Sequence, residues 1–187
     1  MPKYFLIVDL EATCCNQNTF PRHEMEIIEI GAVMLNSQTW EIESEFQQFI
    51  QPVRNPKLTD FCKNLTSITQ QNVDSAPLFA EVITKFSAWK NTFTDHVFCS
   101  WGNYDKKQFI QDCNYHKIPY PFDENHINIK SEFSEFLGVK SKYGMAEALN
   151  ILGIELKGTH HRGIDDARNI AAIYRCLNER RIKNTMN

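Results

Sequence analysis

The sequence predicts an α/β protein in which helices flank a mixed central sheet. Two observations carry this. Three strand-like segments follow one another between residues 4 and 50, close enough for antiparallel pairing. After them, helix-like and strand-like segments alternate, the pattern that adds parallel strands with helices on the sheet faces. A chain of 187 residues is long enough to bury a real core.

The elements follow in order. Residues 4–9, Tyr-Phe-Leu-Ile-Val-Asp, are a short apolar run closed by a carboxylate, which reads as a buried strand. Residues 26–35 give a second strand, and 41–50, alternating less cleanly, a third. Pro52 and Pro56 then break the chain. A helical pattern begins near residue 58. Asp74-Ser75-Ala76-Pro77 signals a helix start with Pro near its first turn, and Leu78, Val82, Phe86 and Trp89 fall on one face. Residues 96–101 read as a strand and 104–116 as a helix. A short strand at 126–130 and helices near 131–137 and 144–152 follow, the last stopped by Gly153. The final helix covers about 164–180, with Ile170, Ile173, Tyr174 and Leu177 as its apolar stripe. The polar tail beyond it is expected to fray. No repeat, low-complexity tract or linker divides the chain, so one domain over 1–187 with a core at about 3–178 is expected.

Composition narrows the function classes. The hydrophobic fraction of 42% and charged fraction of 23% suit a soluble globular protein. The first apolar run, Tyr4 to Val8, is too short for a signal-peptide core, and no window approaches the roughly 18 apolar residues of a membrane span. No membrane partner is expected, and the cytosol, or the nucleus of a eukaryotic source, is the expected location. Six cysteines lack any C-x-x-C spacing and are expected as reduced thiols. Net charge is −3. A protein that grips long duplexes is usually basic. Any nucleic-acid contact here should be short, compensated locally by metal ions or a few Lys and Arg.

Three segments carry chemistry. Asp9 and Glu11 stand two apart at the end of an apolar strand, so both side chains share one face. Side-by-side carboxylates repel unless a cation lies between them; a strand end running into a polar turn would look the same. His160-His161-Arg162-Gly163-Ile164-Asp165-Asp166-Ala167 opens the final helix. One Asp there could simply cap the helix, but that explains neither the second Asp nor a His five residues before Asp166. Asp105 lies between a predicted strand and helix, where a helix-start carboxylate is also at home. Together the segments place four carboxylates and a histidine at strand ends and helix starts, where α/β active sites gather.

Val8-Asp9-Leu10-Glu11-Ala12-Thr13-Cys14 resembles the first motif of the DEDDh exonucleases, the DnaQ and ribonuclease T superfamily. His161-x4-Asp166 resembles the third motif, and Asp105 stands where the second motif's carboxylate belongs. The ERI branch, the enhanced-RNA-interference or histone-mRNA 3′-exonucleases, is more similar still. Glu11 to Cys14, Phe61 to Thr69 and His161 to Ala171 carry that likeness. The resemblance covers about residues 3–178. Ser67 stands where that branch usually has Gly, and Tyr104 where it often has Trp; these departures bear on substrate choice more than on chemistry.

The resemblance implies a ribonuclease H-like fold and a two-metal hydrolysis with Mg²⁺ or Mn²⁺. Asp9 would bridge both ions, Glu11 and Asp166 would complete one shell, and Asp105 would act through water. Hard divalent ions favour such oxygen ligands. Two of them roughly 3.5–4 Å apart can activate water and stabilise the leaving oxygen. His161, with a reference pKa of about 6.5, would take the water's proton. The product would be nucleoside 5′-monophosphates cut from RNA 3′ ends, DNA being the alternative substrate. Glu11, Ala12, Phe61, Leu65, Tyr104 and His161 are the implied substrate contacts. Phe61, Leu65 and Tyr104 are candidates for base stacking, although Phe61 and Leu65 could equally be core. Lys140, Lys142, His160 and Arg162 are candidates for phosphates, with a solvated loop the plain reading for the two lysines. His160 has the same spacing to Asp165 as His161 to Asp166, but the ERI-like run aligns on His161, and Asp166 leads by four to apolar Ile170. An inactive fold kept as a binding module would lack a metal carboxylate, and none is missing. A small-molecule phosphatase would release phosphate rather than nucleotides.

Overall fold

A computed structural model describes residues 2–17 and 19–186. Its centre is a five-stranded sheet of order β3-β2-β1-β4-β5. The strands are β1 (Tyr4–Ala12), β2 (Ile27–Asn36), β3 (Ile42–Phe49), β4 (His96–Ser100) and β5 (His126–Asn128). The pairs β1–β2 and β2–β3 are antiparallel, and β1–β4 and β4–β5 parallel. Among the described residues, a short 3-10 turn (Arg22–Glu24) and seven α-helices complete the fold: α1 (Asp60–Thr66), α2 (Gln70–Asp74), α3 (Phe79–Lys90), α4 (Tyr104–His116), α5 (Ile129–Phe136), α6 (Met145–Leu152) and α7 (Gly163–Met186). This is the mixed sheet flanked by helices that the sequence pattern predicts.

The period of two in β1 divides the core. Phe5 and Ile7 pack on one face with Val33, Leu35 and the apolar sides of α5, α6 and α7. Tyr4, Leu6, Val8 and Leu10 pack on the other with Phe79, Phe86 and Phe109 from α3 and α4. Asp9 and Glu11 continue the first series, so they emerge on the α7 side.

Four details depart from expectation. First, β1 runs on to Ala12, because Leu10 and Glu11 continue the ladder opposite Ile30 and Glu29 and, past a register shift, Ala12 pairs with Ile27. Second, Pro77 lies outside α3. Leu78 is the extended N-cap (φ −71°, ψ 159°), so it precedes the helical period and is 45% exposed, while Val82 and Phe86 are buried. Third, the C-terminal tail is helical through Met186 rather than frayed. Arg180 donates to the Leu152 carbonyl at 3.2 Å and Arg181 pairs with Glu132 at 2.7 Å, which docks that end. Fourth, Ser67 ends α1 in the left-handed region (φ 59°, ψ 11°), with its amide bonded to the Lys63 carbonyl. Glycine adopts that conformation without steric cost. The Ser-for-Gly departure therefore puts a non-glycine residue in the left-handed turn that closes α1. Among the described residues, no helix is long and apolar enough to cross a membrane.

Candidate active site

The site forms where β1 outruns its parallel neighbour. β4 pairs with β1 only from Tyr4 to Ile7. Beyond that point the edge of β1 is open, and Asp105, on the first turn of α4, fills it. Its Oδ1 accepts the Leu10 amide at 3.1 Å, in place of the missing strand. A ladder partner is thus exchanged for a carboxylate, buried at 3% exposure beside Asp9.

Asp166 arrives from the other side. The start of α7 lies directly on β2, and two glycines permit it. A Cβ on Gly31 would fall 1.9 Å from the Gly163 carbonyl carbon, and a Cβ on Gly163 would come within 3.0 Å of the Asp9 carbonyl oxygen. Gly31 is also the cross-strand partner of Asp9. This close approach brings the first turn of α7 onto Asp9. Ligand oxygens of Asp9, Glu11 and Asp166 all lie within 4.8 Å of one another. Asp165 points elsewhere, accepting from the Thr159 amide at 2.9 Å and from Arg168 at 3.0 Å.

Together with Asp105 these residues line a cavity of about 380 Å³. Ala12, Leu65, Tyr104, His160 and His161 line it too, with Trp101 and Met145 as apolar wall. Among the described residues, no Lys or Arg lines it. The charges consequently repel. Burial, then Asp105, Glu11 and Asp166, hold the Asp9 carboxyl well above its usual range. Burial and Asp166 push Glu11 up to about 9. Asp105 is raised to about 7 by burial, against the pull of its hydrogen bonds to backbone amides and Ser100. Asp166 is raised by burial and eased back by His160.

The two histidines differ. Their rings stack with centroids 3.9 Å apart. His160 Nδ1 lies 3.0 Å from Asp166 Oδ2. His161 reaches the same oxygen with its backbone amide, at 3.0 Å, from a left-handed conformation (φ 64°). Its ring is left facing the cavity, its pKa lowered by burial and by His160.

Some predicted contacts are not brought here. Phe61 and Leu65 lie one turn apart on α1, and both are 37% exposed, so neither is core. Leu65 lines the carboxylate cavity; Phe61 lines the adjoining hollow, with Tyr104 between the two. Arg162 is not available to a phosphate. Its guanidinium holds buried Glu29 at 3.1 Å through both Nε and Nη2 and lies over the Phe49 ring. The reason is that Glu29, inside β2 with no exposure, requires a counter-charge. Lys140 and Lys142 are exposed between α5 and α6, Lys142 on a small hollow beside Trp101 and Tyr104. Sequence reasoning missed Glu29; its signal was a charge inside the apolar run Ile27-Ile28-Glu29-Ile30. It also passed over Trp101 and Met145, which carry no signal apart from hydrophobicity.

A mixed sheet with four carboxylates and a histidine at one cleft defines a class of metal-assisted phosphodiester hydrolases. The family model described as Exonuclease, of the RNase T type, matches residues 6–174. The nuclease domain of 3′hExo, a DEDDh family member solved with rAMP bound, superposes with a TM-score of 0.88 at 36% identity, covering 95% of this chain and 93% of that one. This chain therefore belongs to the DEDDh exonuclease family, whose members depend on divalent metal. A structure of a 3′-exonuclease recognising the histone mRNA stem-loop also gives a TM-score of 0.88, at 35% identity over 95% of this chain and 64% of that chain. The 3′-5′ exoribonuclease 1 of Homo sapiens is 38% identical over 178 residues, which is 91% of this chain and 51% of the relative. The chain thus spans about half the length of that curated relative.

Proposed function

We propose that this chain is a 3′-to-5′ exoribonuclease that uses two Mg²⁺ or Mn²⁺ ions and releases nucleoside 5′-monophosphates. One observation carries the reading: Asp9, Glu11 and Asp166 offer oxygens within 4.8 Å of one another in a cleft that no Lys or Arg lines. The donor set fits the ions. It is all oxygen, as hard divalent cations prefer, and the carboxyls raise one another's pKa, a repulsion that a bound cation would relieve. Bound there, the ions would activate water and stabilise the departing 3′ oxygen.

The chain's own groups do the rest. Asp9, Glu11 and Asp166 would hold the ions. Asp105, already tied to the Leu10 amide, would act through water. His161 takes the proton of the attacking water; its lowered pKa keeps the ring neutral, and so able to accept, near pH 7. Leu65 and Tyr104 flank the terminal base at the cavity wall, and Ala12 and Glu11 border its sugar. RNA is the favoured substrate because the human relative is an exoribonuclease and the 3′hExo domain holds rAMP.

The test is a degradation ladder on 3′-labelled and 5′-labelled single-stranded RNA, DNA and stem-loop RNA, with Mg²⁺, Mn²⁺ or EDTA. Mononucleotides should appear from free RNA 3′ ends, EDTA should stop the reaction, and a 3′-phosphate should slow it sharply. Equal rates on blocked, circular and free RNA would overturn the exonuclease reading.

A further inference from the structure

Asp105 enters the site from α4, and three adjacent strands hold it there. β1 gives the Leu10 amide, 3.1 Å from Oδ1. β4 gives the Ser100 hydroxyl, which hydrogen-bonds to the Asp105 side chain. β5 gives His126, whose Nε2 lies 2.9 Å from Ser100 Oγ. His126 is the register partner of Phe98, and Ser100 that of Asn128, so His126 and Ser100 sit diagonally on one face of the β4–β5 ladder. The His126 ring packs against Phe98 with centroids 4.8 Å apart. Ser100 has no exposure. A buried hydroxyl is costly unless it is bonded. This one has three neighbours: the Asp105 carboxyl, the Gly102 carbonyl at 3.0 Å and the His126 ring.

A hydroxyl has one proton to give and two lone pairs to offer. The Gly102 carbonyl and an ionised Asp105 carboxylate can only accept, so both compete for that proton, and the carboxylate is the stronger acceptor. A bare His126 Nε2 would be a third competitor. A protonated Nε2 leaves the contest and fills a lone pair of Ser100 Oγ instead. Burial, and then the Lys106 charge, hold the His126 pKa down to about 4, so near pH 7 the ring is neutral and carries a single N–H. Which nitrogen holds it decides where the Ser100 proton points. We propose that His126 is a positioning residue for hydrolysis: its Nε2–H donates to Ser100 Oγ, which turns the Ser100 hydroxyl onto Asp105 and fixes that carboxylate for the water it aligns. The inference rests on the exonuclease reading above. His126 does not line the carboxylate cavity, so it acts only through the serine. β5, a strand of three residues at the sheet edge, thereby takes a share in the site.

The experiment is a double-mutant cycle joined to a direct look at the ring. His126→Phe keeps an aromatic ring against Phe98 and loses the nitrogen, and Ser100→Ala removes the hydroxyl. Each single change should lower kcat on single-stranded RNA by roughly 10–100-fold, the range for losing a partner that orients a metal-site group, with KM little changed. The His126→Phe/Ser100→Ala double variant should fall no further than Ser100→Ala alone, whereas independent effects would multiply. His126→Gln, which keeps a side-chain N–H, should recover most of the rate. In the metal-free wild type, long-range ¹H–¹⁵N NMR should find the His126 proton on Nε2, a result that decides even where a variant folds poorly. A proton on Nδ1, losses that multiply, or a wild-type kcat in His126→Phe would each overturn the proposal and leave an active exonuclease. A wild type that does not cleave RNA would overturn the exonuclease reading, and this inference with it.

Discussion

The protein buries two sets of acids and treats them in opposite ways. Glu26 accepts three backbone amides, from Val53, Arg54 and Asn55, at 2.7–2.9 Å. Glu29 is held by Arg162, by the Gln47 amide and by the Gly163 amide. Asp112 accepts the Ile27 amide at 2.6 Å and Gln108 at 3.0 Å. These acids tie loops, strands and α7 together. Asp9 and Glu11 sit a few residues away on the same sheet, and among the described residues nothing donates to their carboxylates. Burying a charge is costly unless it is paired. Partnered acids hold the fold together, whereas unpartnered ones oppose it and mark a functional site. Asp112 shows that the division is not simply one of pKa. It too is raised, to about 7, because burial outweighs its partners. Partners separate Asp9 and Glu11 from the structural acids where the titration does not, while Asp105 and Asp166, each accepting a backbone amide, stand between the two.

The strongest way to break this comparison is Asp9→Asn. The change is nearly isosteric and removes a repelling charge. Cleavage should fall by at least roughly 10³-fold, the several kcal/mol that metal-ion catalysis supplies, while the apo melting temperature holds or rises. Activity that survives in the variant, or in EDTA, would refute the metal-site reading. Next in size is His161→Ala, expected to lower kcat by roughly 10²–10⁴-fold with metal binding largely kept.

The partnered set should fail in the other direction. Glu29→Ala leaves the Arg162 guanidinium and the Gly163 amide without their acceptor. Breaking a buried pair typically costs about 3–5 kcal/mol. Because Arg162 is a quarter exposed and can turn to water, about 2–3 kcal/mol is expected here. Urea unfolding would measure it. Glu11→Gln, one cross-strand position away, should leave stability unchanged or higher. Equal losses in both variants would remove the distinction between the two sets.

A smaller effect sharpens the comparison through pH. Each site carboxyl has a folded pKa above its unfolded value, so the native state binds the extra protons and stability falls as pH rises. In the metal-free protein the decline should begin above about pH 3.8, the ordinary value of the aspartates. It should run steeply to about 7, where Asp105 ionises, and continue to about 9, where Glu11 does. Millimolar Mg²⁺ or Mn²⁺ should raise the melting temperature, and more so at higher pH, because binding needs the ionised forms. A melting temperature flat across this window and indifferent to metal would count against four repelling acids.

Much of this was legible in the sequence, for physical reasons. β1 and α4 are strongly patterned, and their ends fix where Asp9, Glu11 and Asp105 emerge. What was hidden depends on long-range contacts. Arg162 reads as a free cation until β2 brings Glu29 to it from 133 residues away. Phe61 and Leu65 read alike, and only the seating of α1 gives each a different hollow. The need for glycine at 31 appears only when α7 is laid on β2. The helical tail looks polar because its anchors, Glu132 and the Leu152 carbonyl, lie on other helices.

The smallest expected effect concerns His160, which separates holding an acid from acting as a base. Composition does not distinguish it from its neighbour, and both rings face Asp166. Their nitrogens are employed differently. His160 Nδ1 is already engaged with both Asp166 oxygens, at 3.0 and 3.2 Å. His161 contacts Asp166 only through its backbone amide, and its ring nitrogens take no partner among the described residues. A group that must accept a proton from water needs such a free nitrogen. Asp166 has a second support in that same amide and a buried place on the first turn of α7, so losing the His160 ring should leave it aimed into the cavity. His160→Ala should therefore change kcat by less than about tenfold, below the roughly 10²-fold minimum for losing a general base. Single-turnover rates of the two variants on one RNA decide the matter. If His160→Ala proves as damaging as His161→Ala, the free ring is not the base, and the pairing of His160 with Asp166 is part of the chemistry.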